Sequence, residues 1–277
     1  MSHQLADDGI QGCPAMSSDA RLDAVFRDIH QGLPRQGPGT DAATLAALEL
    51  CAGLPERARV LDIGCGPGMQ TLAIARSRNA QVVAIDVDEA FLAQLNQSAQ
   101  AAALADRITT RAFDMNELPF NDGEFDLVWS EGAAYIMGFA AALRQWRPLL
   151  RPGGYLMVSE LCWTTHPRPQ PVAEFFAEAY PPMTDVESRL ADIAAHGYEV
   201  VDHLTLPDEG WWTHYYTPLE KKLPSLRARY ANDQAAGALI DETQREIDMR
   251  RHYSDAYCYE YFVAVRDQRL AAAEPPA

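Results

Sequence analysis

The run Val60-Leu61-Asp62-Ile63-Gly64-Cys65-Gly66-Pro67-Gly68-Met69 decides the fold of this chain. An apolar strand carrying one acid runs into glycines at every second position. Such a turn takes positive φ cheaply, and it lets a ligand approach the backbone with no Cβ in the way. The spacing then narrows the ligand. A dinucleotide loop of the form G-x-G-x-x-G needs its third glycine where Met69 stands, and a phosphate loop needs Lys and Ser or Thr after its last glycine, which Gly68 lacks. Asp62, at the carboxyl end of the strand, would repel a pyrophosphate and would accept from an ammonium group or from loop N–H groups. The expected ligand therefore carries positive charge.

Around this run the chain alternates strand and helix. Strands are predicted at 60–63, 81–86, 108–113, 125–129 and 154–159, then at 198–204 and 259–265, with helices at 70–76, 89–103, 139–150 and 185–196. Short, continuously apolar strands separated by helices predict an α/β fold with a doubly wound, mostly parallel, seven-stranded sheet. Upstream, Leu22, Val25, Phe26 and Ile29 have helical spacing, and the run from Gly32 to Gly39 (GLPRQGPG) must be loop before Thr40 or Asp41 caps the next helix. Between the sixth and seventh strands residues 207–257 open with WWTHYYTPLEKKL. They are too long for a turn and are expected to form a helical, aromatic cover. The division that follows is a mobile lead over 1–20, a cover helix and loop over 21–39, and a core over 40–206 plus 258–266. The cover insertion at 207–257 and a mobile tail over 267–277 complete it.

Composition bounds the partners. The chain has 277 residues, enough for one α/β domain with an insertion, and its formal net charge of −16 repels nucleic-acid backbones and anionic membranes. No run of Lys or Arg offsets that field, so neither nucleic acid nor membrane is an expected partner. The five cysteines, Cys13, Cys51, Cys65, Cys162 and Cys258, are scattered and include no C-x-x-C pair, so no metal site or disulfide framework is expected. With no apolar stretch of signal-peptide or membrane-span length, the expected location is the cytoplasm.

The pattern D-x-G-x-G-x-G after an apolar strand resembles the cofactor loop of class I S-adenosylmethionine-dependent methyltransferases. The resemblance extends from about Gln36 to Arg266, through Asp86 at the end of the second strand, Asp114 after the third, and the turn Leu149-Leu150-Arg151-Pro152-Gly153-Gly154. Within that class the chain is similar to bacterial small-molecule methyltransferases of the ubiquinone-biosynthesis (type 11) kind. The resemblance implies S-adenosyl-L-methionine as cofactor. It would be held by Gln36, Asp62, Gly64, Cys65, Gly66, Gly68, Met69, Gln70, Asp86, Val87, Asp114, Met115, Asn116 and Ser130. Asp86 would accept from the ribose hydroxyls, where its alternative is a helix N-terminal acid. Asp114 would accept from the adenine amine, where its alternative is a turn aspartate. Arg35 or Gln36 would meet the carboxylate at the methionine end.

The implied reaction is in-line displacement of a methyl group onto a small-molecule N or O nucleophile, or onto carbon. Positioning supplies most of the acceleration, and a base is needed only for a protonated acceptor. Glu131, Tyr135 and His214 are the expected catalytic residues, with His166, Tyr215 and Tyr216 as further candidates. Trp211-Trp212 and Tyr215-Tyr216 either wall the acceptor pocket or seat the insertion on the sheet. The expected assembly is a monomer or homodimer. Two other readings stay open: a catalytically silent protein binding S-adenosylmethionine or S-adenosylhomocysteine, and, less favoured by the charge, a nucleic-acid methyltransferase.

Overall fold

A computed structural model describes residues 20–267 of the chain. The expected lead and tail, with Cys13, lie almost wholly outside the described residues. The elements are α1 (Ala20–His30), α2 (Asp41–Leu50), β1 (Arg59–Ile63), α3 (Met69–Ser77), β2 (Gln81–Asp86) and α4 (Glu89–Ala101). They continue as β3 (Ile108–Ala112), β4 (Phe125–Ser130), α5 (Phe139–Trp146), β5 (Leu150–Trp163), α6 (Gln170–Ala179), β6 (Thr184–Asp185), α7 (Val186–Ala195) and β7 (Tyr198–Thr205). Last come α8 (Glu209–Trp211), α9 (Thr217–Arg229), α10 (Gln234–His252) and β8 (Tyr257–Arg266).

The sheet has the order β3-β2-β1-β4-β5-β8-β7, with the short β6 paired to the far end of β5. All pairs are parallel except those of β8, which runs antiparallel to both β5 and β7. The seven expected strands are present. Alternate side chains face opposite ways, as period two requires. Val60, Val82, Leu127, Met157 and Val263 join one buried core with Ile74, Leu92 and Leu95 of α3 and α4. Leu61, Ile63, Ile85, Val128, Leu156 and Phe262 join the other with Leu143, Trp146 and Ile193 of α5 and α7. Strand order reverses between β1 and β4, so their connections leave in opposite directions and open a crevice at their carboxyl tips.

Local signals set the helix starts. Thr40 accepts from the Ala43 N–H at 3.0 Å and caps α2, Asp88 accepts from the Ala90 N–H at 2.8 Å for α4, and Asp185 accepts from the Ser188 N–H at 2.8 Å for α7. Two stretches escape the sequence reading. β5 runs four residues past its expected end at Ser159, and α6 and β6 follow it where no element is expected.

The helices of the insertion and α1 are tied together. The Lys222 ammonium donates to the Ile29 carbonyl at 2.7 Å and to the Gln31 carbonyl at 2.5 Å, and Asp28 accepts from Tyr230 and Arg229 at 2.6 Å each. Arg250, at the end of α10, grips Asp208 at 2.7 Å before α8, donates to the Tyr257 carbonyl at 2.8 Å and lies over the Trp211 ring. This clasp joins the two ends of the insertion where it meets the sheet.

Two glutamates, Glu160 on β5 and Glu260 on β8, stand directly opposite each other and are both buried. Glu260 accepts from Thr205 at 2.6 Å and pairs with His203 at 2.5 Å, whereas Oε2 of Glu160 has no partner among the described residues. Burial pushes the Glu160 carboxyl up from 4.5 to about 7. The folded chain thus holds a proton that the unfolded chain releases, so this contribution is full below pH 4.5 and is lost as the pH rises through about 7. Glu160→Gln is expected to make the chain more stable than the unaltered protein at pH 7.5 and to flatten the fall in stability between pH 5 and 7, read from urea midpoints.

Candidate functional site

The tip of β1 and the start of α3 form a tight glycine turn. Gly64, Gly66 and Gly68 have φ of +71°, +52° and +84°, the left-handed region that side chains with a Cβ avoid. Their reasons differ. A Cβ on Gly64 would collide with the Ala133 methyl and one on Gly68 with the Leu95 side chain, so both serve close packing. A Cβ on Gly66 would meet only Gln36, at 3.6 Å, so the turn is open there on the side that the loop before α2 covers. The Gly64 and Cys65 N–H groups both donate to the Ile85 carbonyl at 2.9 Å, which ties the turn to the end of β2.

Asp62 is wholly buried at the end of β1. Its Oδ2 accepts from the Thr71 hydroxyl at 2.5 Å, and its Oδ1 has no partner among the described residues. Burial pushes its carboxyl up to about 7, and the charge of Glu131 adds to that rise against the pull of the Thr71 hydrogen bond, the Gln70 side chain and the Arg35 charge. A buried carboxylate oxygen without a donor is costly, and a cationic donor from a ligand relieves that cost. Thr71, which the sequence reading passes over, fixes the orientation of this acid from the first turns of α3.

Asp86 ends β2 and accepts from the Gly66 N–H at 2.8 Å and the Asp88 N–H at 2.9 Å. Burial raises its carboxyl pKa against those two bonds. Asp114 is exposed, and its Oδ1 accepts from the backbone and side-chain nitrogens of Asn116, each at 2.8 Å, bonds that lower its pKa. In this structure its contacts are those of a turn aspartate. Met115 reaches back toward Gly64, with its methyl 3.8 Å from where a Cβ of that glycine would lie. Val87, just beyond Asp86, is 65% exposed, a large apolar side chain left open at the rim of the turn.

Three expected ligand contacts are turned inward. The Ser130 hydroxyl donates to the Ile63 carbonyl at 3.1 Å and the Gln70 amide to the Cys65 carbonyl at 3.0 Å, so both brace the tips of β1 and β4 and the turn between them. Burial, with Asp62 and Asp86 close by, raises the Cys65 thiol well above its ordinary pKa, which suits a small filler and not a nucleophile. Met69 begins α3 and is half-buried.

Glu131 corrects the sequence reading most sharply. Instead of facing an acceptor, its carboxylate is surrounded by protein donors. Oε1 accepts from the Thr44 hydroxyl at 2.6 Å and the Trp129 indole N–H at 3.0 Å, while Oε2 accepts from the Tyr261 hydroxyl at 3.1 Å and pairs with Arg35. The side chain is 2% exposed. Four donors from α2, β4, β8 and the loop after α1 leave it no lone pair for a substrate proton. Arg35, also buried, keeps Nη1 unpartnered among the described residues. Next to it Gln36 donates to the His30 carbonyl at 3.2 Å and lies over Gly66. The Gly39 N–H donates to the Gly210 carbonyl at 2.9 Å, joining the loop to the insertion.

Tyr135 lies in the single helical turn after β4, half-buried, with its ring edge-on to Tyr180 at 5.9 Å between centroids. His214 is half-buried in a π-helical turn, Trp212–Tyr216. Of the four expected cover aromatics, Trp211, Tyr215 and Tyr216 are buried against one another and against Tyr257 and Tyr259 of β8. They seat the insertion on the sheet. Trp212 alone is half-buried.

Comparison with known proteins agrees with this geometry. Residues 60–154 match the family model described as a methyltransferase domain. The chain is 33% identical over 152 residues to the 27-O-demethylrifamycin SV methyltransferase of Amycolatopsis mediterranei, covering 53% of this chain and 56% of the relative. It is 28% identical over 153 residues to the O-methyltransferase resE of Aspergillus sclerotiorum, covering 54% of this chain and 58% of the relative. The chain thus spans a little over half the length of these curated relatives. Among solved structures, a SAM-dependent methyltransferase from Geobacter sulfurreducens in complex with S-adenosyl-L-homocysteine shares the fold. Its TM-score is 0.74 at 23% identity, covering 87% of this chain and 97% of that one.

The glycine turn separates packing from binding by substitution. Gly66→Ala is expected to fold with a loss of roughly 1–2 kcal/mol, the cost of a left-handed alanine, yet to lose nucleoside binding because its methyl enters the open side of the turn. Gly64→Ala adds a clash with Ala133 to the same strain and is expected to lower the melting temperature further. Thermal melts and calorimetry with S-adenosylhomocysteine on both variants check this.

Proposed function

We propose that this chain is a class I S-adenosylmethionine-dependent methyltransferase that moves a methyl group to a hydroxyl oxygen of a small, largely apolar molecule. The observation that carries the reading is the buried, unpartnered Oδ1 of Asp62 beside a glycine turn whose open side lies at Gly66. A phosphate ligand is repelled there. A ligand with an ammonium group and a nucleoside is matched by the acid and by the turn.

In this reading Asp62 takes the ammonium of the cofactor's amino-acid end, and the unpartnered Nη1 of Arg35 takes its carboxylate. Gly64 and Gly66 let the nucleoside approach the backbone, and Gln36 covers it. Asp86 accepts from the ribose hydroxyls with the lone pairs its two backbone bonds leave over. Val87 and Met115 flank the adenine, and Asp114 turns from Asn116 to the adenine amine. When bound, S-adenosylmethionine supplies a methyl group on a cationic sulfur that departs as a neutral thioether. The work left to the chain is to orient the acceptor, exclude water and receive one proton if the acceptor is protonated.

Glu131 is excluded from receiving that proton by its four donors, which leaves Tyr135 on the turn after β4 and His214 on the cover. The edge-on pair Tyr135–Tyr180 and the half-buried Trp212 favour an apolar or aromatic acceptor. Oxygen as the nucleophile is supported by the names of the rifamycin and Aspergillus relatives. No helix among the described residues is long and apolar enough to cross a membrane, and the acidic chain favours a diffusible acceptor over a nucleic acid.

Calorimetry on the purified chain tests the cofactor, and mass spectrometry of a panel of hydroxylated aromatics incubated with S-adenosylmethionine tests the acceptor. Failure to bind S-adenosylhomocysteine at millimolar concentration would reject the reading. Asp62 adds a pH signature. Because its carboxyl is held near 7 and the ammonium requires the ionised form, affinity for S-adenosylhomocysteine is expected to rise from pH 6 to 8, with a proton released on binding near neutrality. Asp62→Asn is expected to bind more weakly and to lose that proton release, seen as heats that no longer vary with the ionisation enthalpy of the buffer.

A further inference from the structure

Glu131 occupies the place after β4 where a base for the acceptor would stand, yet each of its hydrogen-bonding partners belongs to the protein. A base needs a lone pair directed at the proton it removes, and both oxygens here are already doubly engaged. Its charge has one counterpart in this cluster, Arg35.

Alone among the four partners of Glu131, Arg35 lies outside the sheet and α2. It lies in the Gly32–Gly39 loop, is 4% exposed, commits Nη2 to Glu131 and leaves Nη1 without an acceptor among the described residues. Gly39 is packed so closely on the guanidinium that a Cβ there would lie 2.6 Å from it, so the loop is moulded around this one side chain. Gln36, the neighbour of Arg35, lies over Gly66, which brings this loop onto the glycine turn that follows Asp62, and Asp62 feels the charges of both Glu131 and Arg35. Besides Oδ1 of Asp41, whose charge Arg35 also feels, the buried atoms without a partner here include an anionic oxygen of Asp62 and a cationic N–H of Arg35. The two together match the opposite charges of an α-amino acid zwitterion.

Resting on the cofactor reading above, we infer that Glu131 is a positioning residue, holding Arg35 and its loop so that Nη1 meets the carboxylate of the cofactor's amino-acid end. With both oxygens engaged by protein donors, Glu131 takes no proton from the acceptor. Removing it frees Arg35 to turn to solvent, and the loop with Gln36 loses its only charged attachment to the centre of the sheet.

The test compares two ligands that share nucleoside and thioether and differ in the amino-acid end, S-adenosylhomocysteine and 5′-methylthioadenosine, by calorimetry on the full chain. Glu131→Gln keeps the shape and acceptor capacity toward Thr44 and Trp129. It is expected to weaken S-adenosylhomocysteine roughly ten- to a hundredfold, the loss of one charge-assisted hydrogen bond, and to leave methylthioadenosine within about twofold, the usual spread for a site untouched by a substitution. Hydrogen exchange over residues 31–40 is expected to speed up in the variant and to gain less protection from S-adenosylhomocysteine. If Glu131→Gln does not fold, Arg35→Lys carries the test. It keeps the charge and loses the second nitrogen, and the same ligand-selective loss is expected. Unchanged S-adenosylhomocysteine affinity in the folded variant, or equal losses for both ligands, would overturn the inference. Absence of binding by the unaltered chain to either ligand rejects the cofactor reading itself, and the inference with it.

Discussion

A carboxylate buried at the tip of a central strand must be paired, and the pairing of Glu131 organises this molecule. Stripping one partner from a buried ion pair typically costs roughly 3–5 kcal/mol, because the other charge is left without solvent or counterion. Here the counterion lies in a loop that precedes the sheet in sequence, while the remaining donors come from α2, β4 and the last strand. The Gly32–Gly39 loop cannot leave the sheet without exposing that cost. Through the Gly39–Gly210 hydrogen bond and the Lys222 contacts to the end of α1, the same constraint reaches the insertion. Cover and core are held to one another by a charge pair at their common centre.

Asp62 and Glu131 show how two buried acids on adjoining strands acquire opposite characters. Both lie at the tips of neighbouring strands, and the charge of Glu131 acts on Asp62. Glu131 has donors for both oxygens. Asp62 has one donor on one oxygen, so burial raises its pKa and leaves it open to a cation. The difference comes from reach. A glutamate two residues beyond Trp129 extends over the sheet to β8, whereas an aspartate inside β1 meets what α3 brings, the Thr71 hydroxyl and the Gln70 side chain.

The fold was legible because its signals are local. Glycines 64, 66 and 68, the alternation of short apolar strands with helices, and the cap at Thr40 each depend on a few consecutive residues. The same holds for the open glycine turn and for Asp86. What the sequence withheld depends on distance along the chain. Glu131 looked like a base because it follows β4, but its partners lie 87 to 130 positions away, except Trp129, and no periodicity connects Thr44, Glu131 and Tyr261. The extension of β5 past Ser159 was hidden for another reason. Glu160 breaks an otherwise apolar run, and an acid in a strand interior reads as the strand's end unless a buried partner across the sheet is already known.

The aromatic insertion illustrates how the same residues pass from one reading to another once packing is known. Trp211 is consumed by contacts with Tyr257 and Tyr259 of β8 and by the Arg250 guanidinium over its ring, and Tyr216 and Tyr215 stack on from it, an arrangement that fixes the start of the insertion on the last strand. Their burial argues against a direct part in binding, yet it places the π-helical turn, and with it Trp212 and His214, where the covering loop meets Gly210. A π-helical turn is less stable than the α-helix flanking it and persists where packing over-determines it. Here that packing is the stacked Trp211–Tyr216 pair, reinforced by the Tyr216 hydroxyl donating to Glu246 at 2.8 Å. The buried aromatics thus act at one remove, setting the register of the two half-buried side chains, Trp212 and His214, on the same turn.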